Sequence, residues 1–205
     1  MIKEVCSIYM TKGERELNKF LEDKNCKELL KDLLLLYTND KNSSFLREMI
    51  SCVISGFNHC TDKLGYDGSK DGVFCEVKPQ NVILDNKSRL DGGGTFTDFT
   101  WRKFNKCKED DVQMIMSGFV DGKLMFIIHF PFNNEDFKNH LLSKLNKYLP
   151  NGDETNHYIR SCQWSFIHYK SAKIIYVADN INDYQRKFTK KLFNFLTGVV
   201  LDNGK

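Results

Sequence analysis

Lys63-Leu64-Gly65-Tyr66-Asp67-Gly68-Ser69-Lys70-Asp71-Gly72-Val73-Phe74-Cys75-Glu76-Val77-Lys78 reads as a strand, a glycine-rich turn and a second strand. Side chains two apart on a strand project to the same face. Glu76 and Lys78 therefore point together, while Cys75 and Val77 point the other way, into a core. Asp67 stands before the turn, on the opposite arm of the hairpin. An acidic residue facing a Glu-x-Lys pair across a hairpin can hold a divalent metal and a water.

Upstream, polar breaks and apolar spacing predict helices over 11–37, in two pieces, the first capped by Thr11. A third is predicted from Ser43 or Ser44 through Ile54, stopping near Gly56, with Glu48 its one acidic residue. Downstream, 73–78 is read as the strand, followed by Pro79-Gln80-Asn81 and a short strand or loop over 82–84. The segment 86–100, with Gly92-Gly93-Gly94 and Thr95, Thr97 and Thr100, reads as a loop outside any conventional core element. It leads into a basic helix at Trp101, with Thr97 or Thr100 as its cap.

Asp121-Gly122 joins two apolar runs, 112–120 and 123–130, and is a strong hairpin signal. Their near-continuous apolar character predicts central strands covered on both faces. An amphipathic helix follows over 134–148, then strands over 158–169 and 172–177. A last helix is read over 182–196, with Arg186, Lys187, Lys190 and Lys191 on or beside its outer face. The expectation is an α/β fold, a mixed central sheet flanked by helices behind an N-terminal helical segment. It is read as one domain over 1–205, with the helical segment at 1–41, the core at 42–131 and C-terminal helices and strands at 132–205.

Composition narrows the class. The 205 residues include 16 phenylalanines and carry a formal charge of +3, so net charge alone does not point to nucleic acid. No apolar run approaches the roughly 20 residues of a membrane span, and the N-terminus has no signal-peptide pattern. The seven cysteines lack a Cys-x-x-Cys pair. They read as reduced thiols of an intracellular, cytoplasmic protein. Gly-Gly-Gly-Thr lacks the Gly-Lys-Ser/Thr ending of a nucleotide-binding loop, so no nucleotide cofactor is expected. His129, inside an apolar strand, reads as a hydrogen-bonded core residue.

The hairpin chemistry suits phosphodiester hydrolysis. That reaction needs an activated water, stabilised charge on the phosphorane oxygens and a neutralised leaving group. Mg²⁺ held by oxygen ligands can serve all three. Asp67 and Glu76 would supply carboxylates and Val77 its backbone carbonyl, and Lys78 would orient the water. Thr95, Thr97 and Thr100 offer hydroxyls, and Arg102, Lys103 and Lys106 offer charge toward a nucleic-acid backbone. Gln163-Trp164-Ser165 and Asn156-His157-Tyr158 are polar-aromatic stretches able to read base edges. The plain alternative is a surface hairpin in which Glu76 and Lys78 form an ion pair.

Tyr66-Asp67, an eight-residue gap and Glu76-Val77-Lys78 together resemble the PD-(D/E)xK nuclease superfamily, most of all its type II restriction endonucleases. Tyr66 stands where that family often has proline. The resemblance implies a restriction-endonuclease-like fold, with the Asp at the start of one hairpin strand and Glu-x-Lys on the next. It implies a further acidic ligand from the preceding helix, where Glu48 stands. It also implies a Mg²⁺-dependent endodeoxyribonuclease, with Mn²⁺ as a substitute ion, acting on duplex DNA as a homodimer and in a sequence-specific manner. The alternatives are a structure-specific or repair nuclease or an RNase on the same fold, or a nucleic-acid-binding module without catalysis.

Overall fold

The computed structural model describes residues 31, 34–40, 44–60, 65–152 and 157–198. The helix expected from Thr11 and the first part of its successor lie outside these residues. Residues 34–38 are helical, as read. The ordered succession of elements is then α1 (Phe45–Ile54), β1 (Asn58–His59), β2 (Gly68–Lys70), β3 (Val73–Val82), β4 (Gly94–Phe99), α2 (Trp101–Glu109), β5 (Gln113–Val120), β6 (Lys123–Pro131), α3 (Glu135–Tyr148), β7 (Ile159–Trp164), β8 (Lys173–Val177) and α4 (Lys190–Thr197). Short 3₁₀ turns span Phe166–His168 and Ile181–Lys187.

The sheet is organised by its two most apolar strands. β5 and β6 pair antiparallel through Asp121-Gly122, whose φ angles of 47° and 74° give the doubly left-handed turn that matches strand twist. β3 lies parallel to β5 on its other side, so the six-stranded sheet, ordered β1-β2-β3-β5-β6-β8, is mixed. Helices flank it, as the sequence leads one to expect. Odd-numbered Cys75, Val77, Ile115 and Ile127 form one small core with Cys52 of α1. Met114, Met116, Phe126, Ile128 and Phe130 face the opposite and larger core, shared with Phe137 and Leu141 of α3 and Leu192 of α4. A two-residue alternation thus places β3's Glu76, Lys78 and Gln80 on the face opposite Val77.

β3 runs through Pro79 to Val82 as one strand, in place of the break expected at Pro79-Gln80-Asn81. The reason lies in its edges. β2 covers β3 only as far as Cys75, opposite Gly68. The amide of Val77 turns to that uncovered edge, and Pro79, two residues on, turns its nitrogen the same way. No ladder bond is lost there, so proline is tolerated in a long strand.

The glycine- and threonine-rich stretch is also a correction. Gly94–Phe99 is not a loop; it forms a two-stranded antiparallel ribbon with β7. Phe96 and Phe99 are fully buried and stack with ring centroids 5.1 Å apart. Their spacing of three disguises the strand, because Asp98 between them takes a φ of 50° and turns both rings inward. The stretch read as a strand over 158–169 ends at Trp164 and closes in the 3₁₀ turn.

The last helix is interrupted. Ile181–Lys187 is 3₁₀, and α4 begins only at Lys190. Leu90 and Phe188 form a parallel bridge: Leu90 N–H donates to the Lys187 carbonyl at 2.7 Å and Thr189 N–H to the Leu90 carbonyl at 2.9 Å. Those backbone groups are thereby withdrawn from a helical ladder. Lys187, placed on the outer face by periodicity, is 3% exposed. His129 bonds Gln113 Oε1 through Nε2 at 2.8 Å, as a satisfied half-buried residue. Among the described residues no helix is long and apolar enough to cross a membrane.

Candidate active site

Asp67 is delivered to the edge of β3 by its neighbours. Cys60 N–H donates to the Asp67 carbonyl at 2.8 Å. Gly68 comes next, and a Cβ there would sit 2.8–2.9 Å from Cys75 Sγ, the Asn58 carbonyl and Cys52 Sγ. Only glycine lets the chain press this closely onto β3. Tyr66, on the other side, packs on Phe74 with centroids 5.1 Å apart and donates its hydroxyl to Asp110 Oδ2 at 2.7 Å. Asp67 is so held between a glycine that fits and a tyrosine that anchors to the end of α2.

The Asp67 carboxylate Oδ2 accepts the Val77 amide at 2.7 Å. On β3, Lys78 Nζ bonds Glu76 Oε1 and lies 3.4 Å from the Val77 carbonyl. The ion pair is the one a plain surface hairpin would show. Its burial is not: the two side chains are only 23% and 13% exposed. Holding these charges out of water has a cost that the electrostatics reveals. Burial, followed by the neighbouring Glu76 carboxylate, pushes the Asp67 carboxyl up to about 6, against the opposing pull of Lys78 and the Val77 amide. Burial works against the Lys78 ammonium, but Glu76 and Asp67 outweigh it and hold its pKa above the usual lysine range. Lys78 therefore stays protonated. Glu48 of α1 adds to both fields, raising Asp67 and Lys78 alike.

Val77, Lys78 and Glu48 of this group line a cleft of about 600 Å³, whereas Asp67 and Glu76 lie outside its lining. One wall is β3, with Val77, Lys78, Pro79 and Gln80, joined by Ser44 and Glu48 at the start of α1. The facing wall is the β4–β7 ribbon with the turn before it: Asp91, Gly93, Gly94, Thr95, Thr97, Gln163 and Trp164. Gln80 ties the two walls. Its Nε2 donates to Asp91 Oδ1 at 2.6 Å and its Oε1 accepts the Gly92 amide at 3.1 Å.

Two carboxylates and a backbone carbonyl at one strand edge form a hard, oxygen-only donor set. Among the described residues no cluster of three or more His, Cys, Asp or Glu side chains is gathered to hold a metal ion. Carboxylate and carbonyl oxygens are the ligand type Mg²⁺ takes, completed by water. Burial, and then the Glu76 charge, raise Asp67, and a bound cation would offset both. Asp67, Glu76 and the Val77 carbonyl could hold one, with Glu48 on the same wall.

The second group of expected residues divides. Thr95 and Thr97 line the cleft. Thr100 does not; its hydroxyl accepts the Lys103 amide at 3.1 Å as the N-cap of α2. Lys103 and Lys78 both lie over the Phe96 ring, at 5.2 and 5.6 Å from its centroid, so Lys103 borders the site. Lys106 covers the Tyr66 ring at 5.3 Å and pairs with Asp110 at 3.4 Å. Arg102 is exposed on α2, outside the cleft walls.

The three glycines are required by packing, and the Gly92 and Gly93 amides are already engaged. A Cβ on Gly92 would lie 2.6 Å from the Tyr169 hydroxyl, and one on Gly94 would lie 2.3 Å from Trp164 Cζ2. Gly93 N–H is already taken by Asp91 Oδ1 at 2.7 Å and Gly92 N–H by Gln80. Gln163 and Trp164 reach the cleft, but Ser165, His157 and Tyr158 do not, and Asn156 lies outside the described residues.

Gln80 and Asp91 are the site residues that sequence reasoning misses. Gln80 continues the Glu76-Lys78 alternation by one step and is hidden by the break read at Pro79. No protein-family model and no curated protein matches the chain.

Proposed function

We propose that this chain is a metal-dependent endonuclease of the PD-(D/E)xK kind, with a restriction-endonuclease-like core, hydrolysing phosphodiester bonds of duplex DNA. The observation that carries the reading is the trio Asp67, Glu76 and Lys78 gathered about Val77 of β3, with Lys78 lining a cleft. A surface ion pair needs neither the half-buried second carboxylate of Asp67 nor the glycine that seats it. Mg²⁺, or Mn²⁺ in its place, would polarise the phosphoryl oxygens and lower the pKa of the attacking water.

The chain's own groups divide the remaining work. Asp67, Glu76 and the Val77 carbonyl supply oxygen ligands, with Glu48 as a further carboxylate. Lys78, held protonated, donates hydrogen bonds to the attacking water and favours the negative charge growing on the phosphate. A proton acceptor has to be found elsewhere, in solvent or in the phosphate itself, since Lys78 carries its proton. Thr95 and Thr97 offer hydroxyl donors from the facing wall, and Lys103 adds positive charge beside them. One site cuts one strand, so scission of a duplex calls for two copies of the chain acting together.

The test is incubation of the protein with supercoiled plasmid, linear duplex, single-stranded DNA and RNA, each with Mg²⁺ or EDTA. Mg²⁺-dependent cutting of the duplex substrates is expected. Discrete fragments mark sequence specificity, and preferential loss of RNA turns the reading to an RNase. Glu76→Ala and Lys78→Ala are each expected to reduce cleavage by about a thousandfold or more while leaving duplex binding in place. Near wild-type cleavage by either variant would refute the site. Absence of any cleavage, with duplex binding retained, would leave a binding module.

A further inference from the structure

A second basic surface adjoins the cleft. Lys87, Arg89 and Arg186 are exposed and line, with the buried Lys187, a depression of about 490 Å³ whose one carboxylate is Asp85. No ion pair among the described residues engages Lys87, Arg89 or Arg186. The surface is built from two segments about a hundred residues apart and is stitched tightly. The Leu90–Phe188 bridge joins their backbones, and Lys187 Nζ donates to the carbonyls of Asn86 at 2.6 Å and Ser88 at 3.3 Å. The one buried cation is thus spent on bracing the loop, and the three exposed ones are left facing solvent on a fixed frame. Preorganised charges lose less on binding than those of a free loop.

Its position ties it to the cleft. Arg89 precedes the cleft-wall residue Asp91 by two positions, so their Cα atoms are at most about 7–8 Å apart. Along β3, Val82 lies four residues past Lys78, about 13 Å at strand rise. A duplex rises about 3.4 Å per base pair, so one laid along β3 would cover the step from Lys78 to Val82, just short of this surface, in about four base pairs.

We infer that the 84–89 loop, braced by Lys187 and completed by Arg186, is a phosphate-backbone contact for duplex DNA flanking the cleavage point. The inference rests on the nuclease reading of the cleft. The surface holds register without touching the reacting atoms, so Lys87, Arg89 and Arg186 affect binding and not the chemical step.

The experiment measures affinity for a short duplex across a salt series of about 50 to 200 mM, for wild type, for Lys87→Ala/Arg89→Ala/Arg186→Ala and for Arg89→Glu. Each phosphate contact contributes about 0.9 to the slope of log affinity against log salt. The triple variant is expected to lower that slope by about 2 to 3 and to bind at least roughly tenfold more weakly at the low-salt end. Its single-turnover cleavage rate at saturating protein is expected to equal wild type, and Arg89→Glu is expected to weaken binding in the same sense. A wild-type slope and affinity in both variants, or a wild-type protein that does not bind duplex, overturns the inference. Failure of the nuclease reading shows differently, as wild-type binding without Mg²⁺-dependent cutting. In that case the salt series still decides whether the surface binds duplex. A triple variant that binds duplex normally but loses capture of an acidic polypeptide also overturns it and assigns the surface to a protein partner.

Discussion

The two walls of the cleft are built on opposite principles. The β3 wall gathers carboxylates that repel one another, Asp67 and Glu76 with Glu48 from α1, around the half-buried Lys78 ammonium. The ribbon wall gathers none of that tension. Its glycines fit against Trp164 and Tyr169 with no space to spare, and the Gly92 and Gly93 amides are satisfied by Gln80 and Asp91. One wall holds electrostatic strain that a cation can relieve, and the other holds packing that gives the first a fixed surface to face. Substitutions on the two walls should therefore fail in different ways. Changes on β3 remove activity and spare or raise stability, whereas changes on the ribbon remove stability first.

Gly94→Val tests the packed wall with the largest expected effect on stability. Its Cβ would lie 2.3 Å from Trp164 Cζ2, and overpacking of this kind costs about 3 kcal/mol. A urea midpoint lowered accordingly, with an altered tryptophan emission, is the expected result. An unchanged midpoint would mean that the ribbon can part from Trp164 without loss, and the contrast between the walls would collapse.

Asp67→Asn tests the charged wall in the opposite direction. The folded state raises the Asp67 carboxyl from 3.8 to about 6, so folding favours its protonated form. That contribution is fully present below pH 3.8 and is lost as pH rises through 6. Above this window the folded protein carries a disfavoured carboxylate. Asparagine retains an oxygen for the Val77 amide without the charge. The variant is expected to be more stable than wild type by about 2 kcal/mol above pH 6, with the gain vanishing near pH 4, while cleavage is lost. Added Mg²⁺ should raise the melting temperature of the wild type above pH 6 and leave that of the variant in place. A variant destabilised above pH 6 would show that Asp67 is a structural ion partner and not a strained ligand.

Thr100→Ala sharpens the boundary between wall and scaffold with the smallest effect. Thr100 caps α2, and loss of such a cap costs about 1 kcal/mol. Duplex affinity measured below the melting range should not change, whereas Thr97→Ala, on the cleft wall, should weaken it with no change in melting temperature. The reverse pattern would return Thr100 to the substrate surface.

Tyr66 and Gly68 show how a short motif acquires a position. Neither is an acid or a base, yet one anchors the chain to Asp110 and the other admits it to the space between Cys52 and Cys75. The Asp67-Gly68 step is legible in the sequence as part of a turn-rich approach. Its actual requirement, room for no side chain, depends on α1 and β3 arriving from elsewhere in the chain. Gln80 escapes a sequence reading for a related reason. Proline normally ends a central strand, and only the shortness of β2 leaves its nitrogen an edge where no bond is missed.

Local period and turn chemistry belong to the chain alone, and they set a definite part of this fold. Asp121-Gly122 and the flanking apolar runs set the β5–β6 hairpin, and Thr100 and Asn134 set the starts of α2 and α3. Alternation along 73–78 sent Val77 inward and Glu76 with Lys78 outward. The other features needed partners remote in the chain, and only the assembled fold supplies those. β7 made a strand of the glycine-rich stretch, Leu90 split the last helix at Phe188, and the carbonyls of Asn86 and Ser88 drew Lys187 into the interior. A backbone hydrogen bond or a buried ammonium is satisfied by whatever group the fold brings near, and that group leaves no mark in the local pattern.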